Sequence, residues 1–561
     1  MKTPPQFWLK TLTLLVVLAA IGLPRVTSLD RFVTPDEPKW LMRSANFFLA
    51  LAQEDFANTY QKEHPGVTVM WAGAAGFLLR YPGYVTKGPG QQGHLQQFHR
   101  YLENHGASAF DLLETGRRLV VIAILAVLAL AYLAAIRLTG LLPAFIGFLL
   151  IAFDPFLIAL SRLLHLDGLL SALMLLSVLA WLNYLYRGRH WFDLGLSAGA
   201  AGLSWLTKSP GLFLLPFIGI VCLVEITRAW RTEHPLSWKK IFRGYAIPAL
   251  IWTGIGAVVF VILWPAMWVN PLDTLQQIFT AAASYASEGH DSITFFNGSV
   301  YQAGISDWRF YPVNFFWRTT PLVLAGLLLL IIALALPRRF TLTAQEKWII
   351  FYLGLFVLSY TVFMTLGAKK FDRYLLPVFA PLNILAGWGW VAILKPLLEK
   401  PQASSANAGH PLKWLGGVAI LAVVVIAQGA SAGQTYPYYF SYYNPLAGGS
   451  RHAPQVMMIG WGEGLDQAAR YLNTSPDAGR LNVASWYPDG PFSYIFQGKT
   501  HQQDLLTNPH DLPRADYIVL YAHQWQRQLP SREFLEYFAA QTPEKVIMID
   551  GLEYARIYRW R

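Results

Sequence analysis

The sequence predicts an all-α polytopic membrane domain of about eleven transmembrane helices, followed by a C-terminal soluble α/β domain. Three observations predict it. The chain of 561 residues is 54% hydrophobic and only 14% charged, with 21 tryptophans, a balance that separates membrane proteins from soluble globules. Apolar runs able to cross roughly 30 Å of hydrocarbon recur from residue 8 to residue 431. Residues 432–561 then turn polar and rich in turn signals.

The apolar segments lie at about 8–24, 117–137, 141–153, 168–186, 194–207, 211–227, 246–264, 319–336, 347–366, 375–395 and 414–431. Segments 141–153 and 194–207 are short for a full span. The opening MKTPPQFWLK before TLTLLVVLAAIGLP has the basic start and short apolar core of a signal peptide. It lacks a convincing small-residue cleavage site and is expected to remain as the first crossing. The loops provide an independent check on this order. Lys2 and Lys10, Arg137, Arg187 to His190, Arg228 to Arg243, Arg338 to Lys347, and Lys395, Lys400 and Lys413 fall on the same side each time. That side is expected to be the cytoplasm. The protein is then a multi-pass protein of the plasma (inner) membrane with a cytoplasmic N-terminus.

The opposite face collects the long loop 25–116, DPFLIALSRLLHLDG (154–168), the turn Thr207-Lys208-Ser209-Pro210, the loop 265–318 and GAKKFDRY (367–374). A low-complexity linker, PQASSANAGHP (401–411), precedes the last crossing. In the C-terminal part RLNVASW and ADYIVLY read as strands, and GEGLDQAARYLN and SREFLEYFAA as helices. KVIMIDGLEYARIYRW reads as a hairpin turning at Asp550-Gly551. Residues 1–431, with outer loops 25–116 and 265–318, are therefore expected to form one membrane domain, and 432–561 an extracytoplasmic domain.

The formal charge of +11 arises from 44 Lys and Arg against 33 Asp and Glu. Its placement in membrane loops points to membrane lipids as partners and to no nucleic acid. The lone Cys222 excludes a disulfide within the chain and a Cys-based zinc site. No internal period or inverted repeat of the transporter kind is visible.

Charges at membrane depth cost about 2.5 to 3.5 kcal/mol each, so those on the outer face require a reason. RFVTPDEPKW places Asp36 and Glu37 together between Pro35 and Pro38. Asp36 reads as the N-cap of a helix running through KWLMRSANFFLALAQ, with Pro38 in its first turn. That accounts for one carboxylate and leaves Glu37 optional. A cap at a fixed helix start is also a rigidly held catalytic group. In SRLLHLDG, Arg162 and His165 share a helical face, with Asp167 less well aligned. They fit a boundary ion pair or a binding cluster, without metal-ligand spacing. Lys208 ends one apolar run, where snorkelling alone would explain it. Lys369, Lys370 and Arg373 run against the charge bias of that face, and a resident anion would account for them. His64, in EHPG, reads as a loop turn or a support of the same site.

Together TPDEP, EHPG, DPFLIALSRLLHLDGLL, TKSPGLFLLP and KKFDRYLLP, in that order on one face, resemble the lipid-carrier-dependent glycosyltransferases of the GT-C superfamily. Within it the likeness is to protein O-mannosyltransferases and aminoarabinose transferases, over residues 1–431. The resemblance implies Asp36 as catalytic base and Glu37 as its partner. It places Arg162, Lys208, Lys369, Lys370 and Arg373 at the donor phosphate, with His64, His165 and Asp167 binding or supporting substrate. No metal ligand is assigned and no cofactor is certain, although some relatives use a divalent ion. The implied partners are a polyprenyl-phosphate-linked sugar donor and a glycan, lipid or protein acceptor. Two departures bear on the acceptor. Gly66 and Val69 stand where the mannosyltransferase motif has proline and lysine, and loop 265–318 is too short for the sugar-recognition insertion of the eukaryotic enzymes.

The chemistry implied is attack of an acceptor hydroxyl or amine on the anomeric carbon, with Asp36 as general base. The phosphate leaving group needs charge stabilisation rather than a proton. Trp71, Trp264, Trp268, Trp308 and Tyr311 are candidates for stacking on sugar, or members of an interfacial belt. Gly462 and Gly464 precede a helix that either binds an anion or simply begins there. The alternative function is a flippase or transporter of a lipid-linked sugar, which shares the need for cations but not for an acidic pair.

Overall fold

The computed structural model describes residues 5–232, 237–287, 293–302, 304–398, 410–502 and 515–560. Most of the linker 401–411 lies outside the described residues, as do Lys2 and Lys400. Each of the eleven apolar segments is helical, because in hydrocarbon only internal hydrogen bonding satisfies the backbone. Among the described residues eight helices are long and apolar enough to cross a membrane. A ninth span forms if Phe310–Arg318 and Pro321–Ala335, bent by 109°, count as one. Leu141–Ala152 and Trp191–Thr207, at 12 and 17 residues, fall short of the roughly 20 residues a span needs, so the expected eleven crossings are eight or nine by length.

The span Leu166–Tyr186 is 94% buried and the span Asp372–Leu398 89% buried, which makes these two the axis of the bundle. The others are 22–50% buried and turn leucines such as Leu15, Leu223, Leu250 and Leu358 outward, as expected of a lipid-facing surface. Contacts between loops define one end of the bundle. Arg137 pairs with Asp193 at 2.5 Å, Arg187 Nη2 donates to Leu138 O at 3.0 Å, and Arg189 Nη1 donates to Gly244 O at 2.6 Å. The basic loops therefore gather at one end, while the expected site residues lie at the other.

At that other end the long loop is itself mostly helical: Glu37–Ala52, Val67–Arg80 and Leu95–Asn104. Strands β1 (Thr294–Phe296) and β2 (Ser299–Tyr301) form a small hairpin in the second loop. The C-terminal part is an α/β domain. Strands β3 (Asn482–Ser485), β4 (Lys499–Gln502), β5 (Tyr517–Tyr521), β6 (Lys545–Ile549) and β7 (Leu552–Arg559) make a sheet in the order β4-β3-β5-β7-β6. β3 pairs parallel to β4 and β5, and β7 antiparallel to β5 and β6. The β6–β7 turn falls at Asp550-Gly551, as the sequence reading placed it. Every residue of β5 is buried, because the sheet is covered on both faces. Val519 and Tyr521 pack with Leu465 and Ala469, whereas Ile518 and Leu520 pack with Phe534 and Phe538. The first of these cores also takes in Phe32, Trp317 and Tyr438, so the sheet domain is welded to the membrane domain.

Candidate active site

Asp36 is the N-cap of helix Glu37–Ala52, with Pro38 in the first turn, and its carbonyl accepts from Trp40 N at 3.2 Å. Its side chain makes no capping hydrogen bond. The cap position is as expected, but the carboxylate turns away from the helix and is 33% exposed, into a cavity. Glu37 turns the opposite way and is fully buried. Its Oε1 accepts from Arg117 Nε at 2.6 Å and Leu164 N at 2.9 Å, and its Oε2 from Arg117 Nη2 at 2.5 Å and Thr34 N at 3.0 Å. Burial raises its proton affinity, but the Arg117 charge and the backbone donors outweigh that and hold it below the ordinary range. Glu37 does not line the cavity. In place of the expected catalytic partner it is a tie between three chain segments, which fixes where Asp36 begins its helix.

The cavity has a volume of about 410 Å³, within the range of small-molecule sites. Six cations line it: Lys39, Arg43, Lys62, Lys208, Lys369 and Arg373. Among the described residues Asp36 is the one carboxylate lining it. Arg373 Nη2 stands 3.4 Å from Asp36 Oδ2, and Arg373 Nε 3.6 Å from Asp167 Oδ2. Lys208 Nζ donates to Asp167 Oδ1 at 2.7 Å and lies 4.1 Å from the Tyr374 ring centroid. His165 bridges the two acids, with Nε2 at 3.6 Å from Asp36 and Nδ1 at 3.3 Å from Asp167.

These contacts set the charge states. Burial pushes the Asp36 carboxyl up, but the approach of His165 and the charge of Arg373 outweigh it and hold the group well below the ordinary carboxylate range. Burial pulls His165 down, and Asp167 and Asp36 more than reverse it. His64 is pushed down to about 3, first by burial and then by Lys208 and Lys369, so its ring is neutral at pH 7. Its Nδ1 lies 3.2 Å from Ser209 Oγ. The EHPG turn carries His64 there because Gly66 sits at φ +61°, where a Cβ would stand 2.2 Å from the Trp40 ring. Only glycine allows that approach, which gives the departure from the family motif a physical reason.

Of the ten residues expected at the site, Asp36, His64, His165, Lys208, Lys369 and Arg373 line the cavity, and Asp167 supports it from behind. Lys370 faces away, its Nζ donating to Ile305 O and Gly367 O at 2.8 Å. Arg162 also faces away, donating to Thr27 O and, at 2.8 Å, to Ser28 O. The helical face expected to unite Arg162 with His165 does not exist, because residues 161–165 form an irregular break between helices Pro155–Leu160 and Leu166–Tyr186. None of Trp71, Trp264, Trp268, Trp308 and Tyr311 lines the cavity. Its aromatic walls are Trp40, Phe371 and Tyr374. Among the described residues no group of three His, Cys, Asp or Glu side chains is arranged to hold a metal ion.

Lys39, Arg43 and Lys62 were not anticipated from the sequence. Asp36, Lys39 and Arg43 recur at three and four residues along the helix start, a spacing that puts them on one face and is legible once the helix is fixed. Arg117 and Trp461 left no local signal. Trp461 comes from the C-terminal domain and lies 4.4 Å from the Arg373 guanidinium, ring centroid to Cζ.

The sequence model described as dolichyl-phosphate-mannose-protein mannosyltransferase matches residues 106–270, a stretch that holds Arg117, Arg162, His165, Asp167 and Lys208 but neither Asp36 nor Arg373. No match was found among curated proteins. Among solved structures, ArnT from Cupriavidus metallidurans bound to undecaprenyl phosphate is similar at 15% identity, covering 99% of this chain and 98% of its own, with a TM-score of 0.50. The same protein in the apo state gives 15% identity, 98% of each chain and a TM-score of 0.47. The Archaeoglobus fulgidus oligosaccharyltransferase in the apo form gives 11% identity, 93% of this chain, 70% of its own and 0.45. The fold is like that of the first of these. The chain is thus similar in sequence, over residues 106–270, to the dolichyl-phosphate-mannose-protein mannosyltransferase family, and in fold, over nearly its whole length, to ArnT.

Proposed function

We propose that this membrane protein is an inverting glycosyltransferase that moves a sugar from a polyprenyl-phosphate donor to an acceptor hydroxyl or amine on the extracytoplasmic face. One observation carries the reading: Asp36, the one carboxylate among the described residues that line the cavity, stands 3.4 Å from Arg373 in a lining that holds six cations. The cations suit a lipid phosphate, and the structural relative bound to undecaprenyl phosphate supports that choice. Lys208, Lys369 and Arg373 hold the donor phosphate in this reading, with Lys39, Arg43 and Lys62 adding positive potential.

The acceptor O–H or N–H gives its proton to an Asp36 oxygen as the acceptor bonds to the anomeric carbon. The bond from that carbon to the phosphate oxygen breaks, and the lipid phosphate departs with the electron pair. Lys208 and Arg373 stabilise the charge that builds on it. Direct displacement inverts the anomeric configuration. A carboxylate held as strongly ionised as Asp36 is a weak base while His165 and Arg373 are both beside it. The donor phosphate competes for Arg373, and its arrival raises the proton affinity of Asp36 at the moment a base is needed. Asp167 keeps Lys208 and Arg373 in place when no donor is bound, and Glu37 fixes the helix start.

Asp36→Asn tests the proposal. Sugar transfer from a polyprenyl-phosphate donor is expected to fall at least about 100-fold, while binding of undecaprenyl phosphate persists. Equal turnover by the variant would sink the general-base role. Lys208→Ala and Arg373→Ala are expected to weaken undecaprenyl phosphate by about 10-fold or more each, read by competition in detergent. Unchanged affinity in both would remove the phosphate assignment.

A further inference from the structure

The motif Gly460-Trp461-Gly462-Glu463-Gly464 opens helix Leu465–Leu472 of the C-terminal domain, and the chemistry above makes no use of it. Its backbone is tied down on every side. Trp461 N donates to Glu463 Oε2 at 2.6 Å, Gly462 N to Tyr521 Oη at 2.9 Å, and Gly464 N to Asp466 Oδ1 at 3.1 Å. His523 Nε2 lies 2.7 Å from Gly460 O. The helix start is thus filled by the chain's own groups, which answers the anion reading of Gly462 and Gly464. Gly462 serves another purpose. It sits at φ +109°, and a Cβ there would stand 2.2 Å from Val33 O, so the loop abuts the backbone just before Asp36.

That contact sets Trp461 against Arg373 and His165, beside the cavity of the membrane domain. The side chain is 7% exposed. Its ring lies 4.4 Å from the Arg373 guanidinium and meets His165 edge to face at 5.0 Å between centroids. Phe371 holds the same guanidinium at 4.1 Å. Among the described residues Arg373 Nε has no hydrogen-bond partner and stands 3.6 Å from Asp167 Oδ2, while Nη2 makes one long hydrogen bond, at 3.4 Å, to Asp36 Oδ2. The carboxylates alone therefore do not fix its orientation. Trp461 and Phe371, with Tyr374 farther off at 5.6 Å, supply further contacts, since a guanidinium is attracted to aromatic faces.

We propose that Trp461 is a positioning residue for Arg373, so that the C-terminal domain completes the phosphate-binding half of the active site. The inference rests on the glycosyltransferase reading, since it assigns Arg373 the lipid phosphate. It also makes the domain part of the site rather than a passive cover.

The test uses the full-length chain in detergent, with undecaprenyl phosphate as probe, and compares Trp461→Phe with Trp461→Leu. Both variants keep apolar bulk, and only the first keeps an aromatic face. Trp461→Leu is expected to weaken binding about 5-fold, and Trp461→Phe less than about 2-fold. The same pair is then made with Arg373→Ala, where the difference between Phe and Leu should vanish, because the interaction it reports has been removed. A merely structural tryptophan would give the same difference in both backgrounds. Equal affinities for the Phe and Leu variants, or a difference that survives Arg373→Ala, would overturn the proposal and leave the enzyme reading standing. A wild-type chain that does not bind the probe would overturn the phosphate assignment itself.

Discussion

Two adjacent carboxylates divide two tasks between them. Asp36 faces the cavity with a third of its side chain exposed, whereas Glu37 is sealed against Arg117 and the amides of Thr34 and Leu164. Removing one partner of a buried ion pair leaves the other charge uncompensated, at about 3–5 kcal/mol. Glu37→Gln is therefore expected to lower the melting temperature by more than Asp36→Asn, because Asp36 is partly exposed and its contacts to Arg373 and His165 are long, at 3.4 and 3.6 Å. Thermal unfolding in detergent checks this, and equal melting temperatures for the two variants would refute the division. The sequence revealed the pair because adjacent acids at a membrane border are costly. It did not reveal which was which, since that depends on a rotation of one helical position about a cap. Lys208, Lys369 and Arg373 were legible for the same reason as the acids. Arg162 and Lys370 carried the same charge signal but satisfy backbone carbonyls instead, and spacing does not separate those uses.

At the scale of elements, the eleven apolar segments were legible as helices because hydropathy over a span's length leaves the backbone no alternative. Less legible were the irregular break at 161–165, which turns His165 toward the cavity, and the 109° bend before Pro321. The bend places Arg318, which pairs with Asp372 at 2.8 Å and donates to Phe440 O at 2.7 Å. One arginine thereby links the aromatic stretch after the last span to the residue before Arg373. The loop 460–464 is the other such link, and its state depends on pH. Burial pushes Glu463 up to about 7, outweighing the backbone donor of Trp461 and the charge of Arg318. Between its ordinary value of 4.5 and about 7 the folded state holds a proton that the unfolded state has lost. Stability contributed by this group therefore declines as pH rises through that window and is gone above it. Glu463→Gln keeps the acceptor for Trp461 N and removes the titration. It should match the wild type at pH 5 and exceed it at pH 8, by on the order of 3 kcal/mol at most. Melting curves of both at the two pH values decide it, and parallel pH profiles would contradict it.

Over the whole molecule, charge and packing divide the bundle into two unlike ends. One end gathers Arg137, Arg187 and Arg189 with their loop partners, and the other holds the cavity and the sheet domain. The shared core of Phe32, Trp317 and Tyr438 with the sheet domain shows that domain docked as a fixed part of the cavity end. The fold alone does not say which end meets the cytoplasm. The basic loops at the first end bear on it, because such loops are retained on the cytoplasmic side during insertion, and we propose on that ground that the cavity faces the extracytoplasmic side. The chain's one cysteine makes this measurable, since Cys222 is buried and replaceable by alanine. In that background Asp477→Cys puts an exposed thiol on the sheet domain and Arg338→Cys puts one on a basic loop. A membrane-impermeant maleimide added to intact spheroplasts should label the first and spare the second until the cells are lysed. The reverse pattern would turn the molecule over, move the acid–cation cavity to the cytoplasm and require a donor presented from inside.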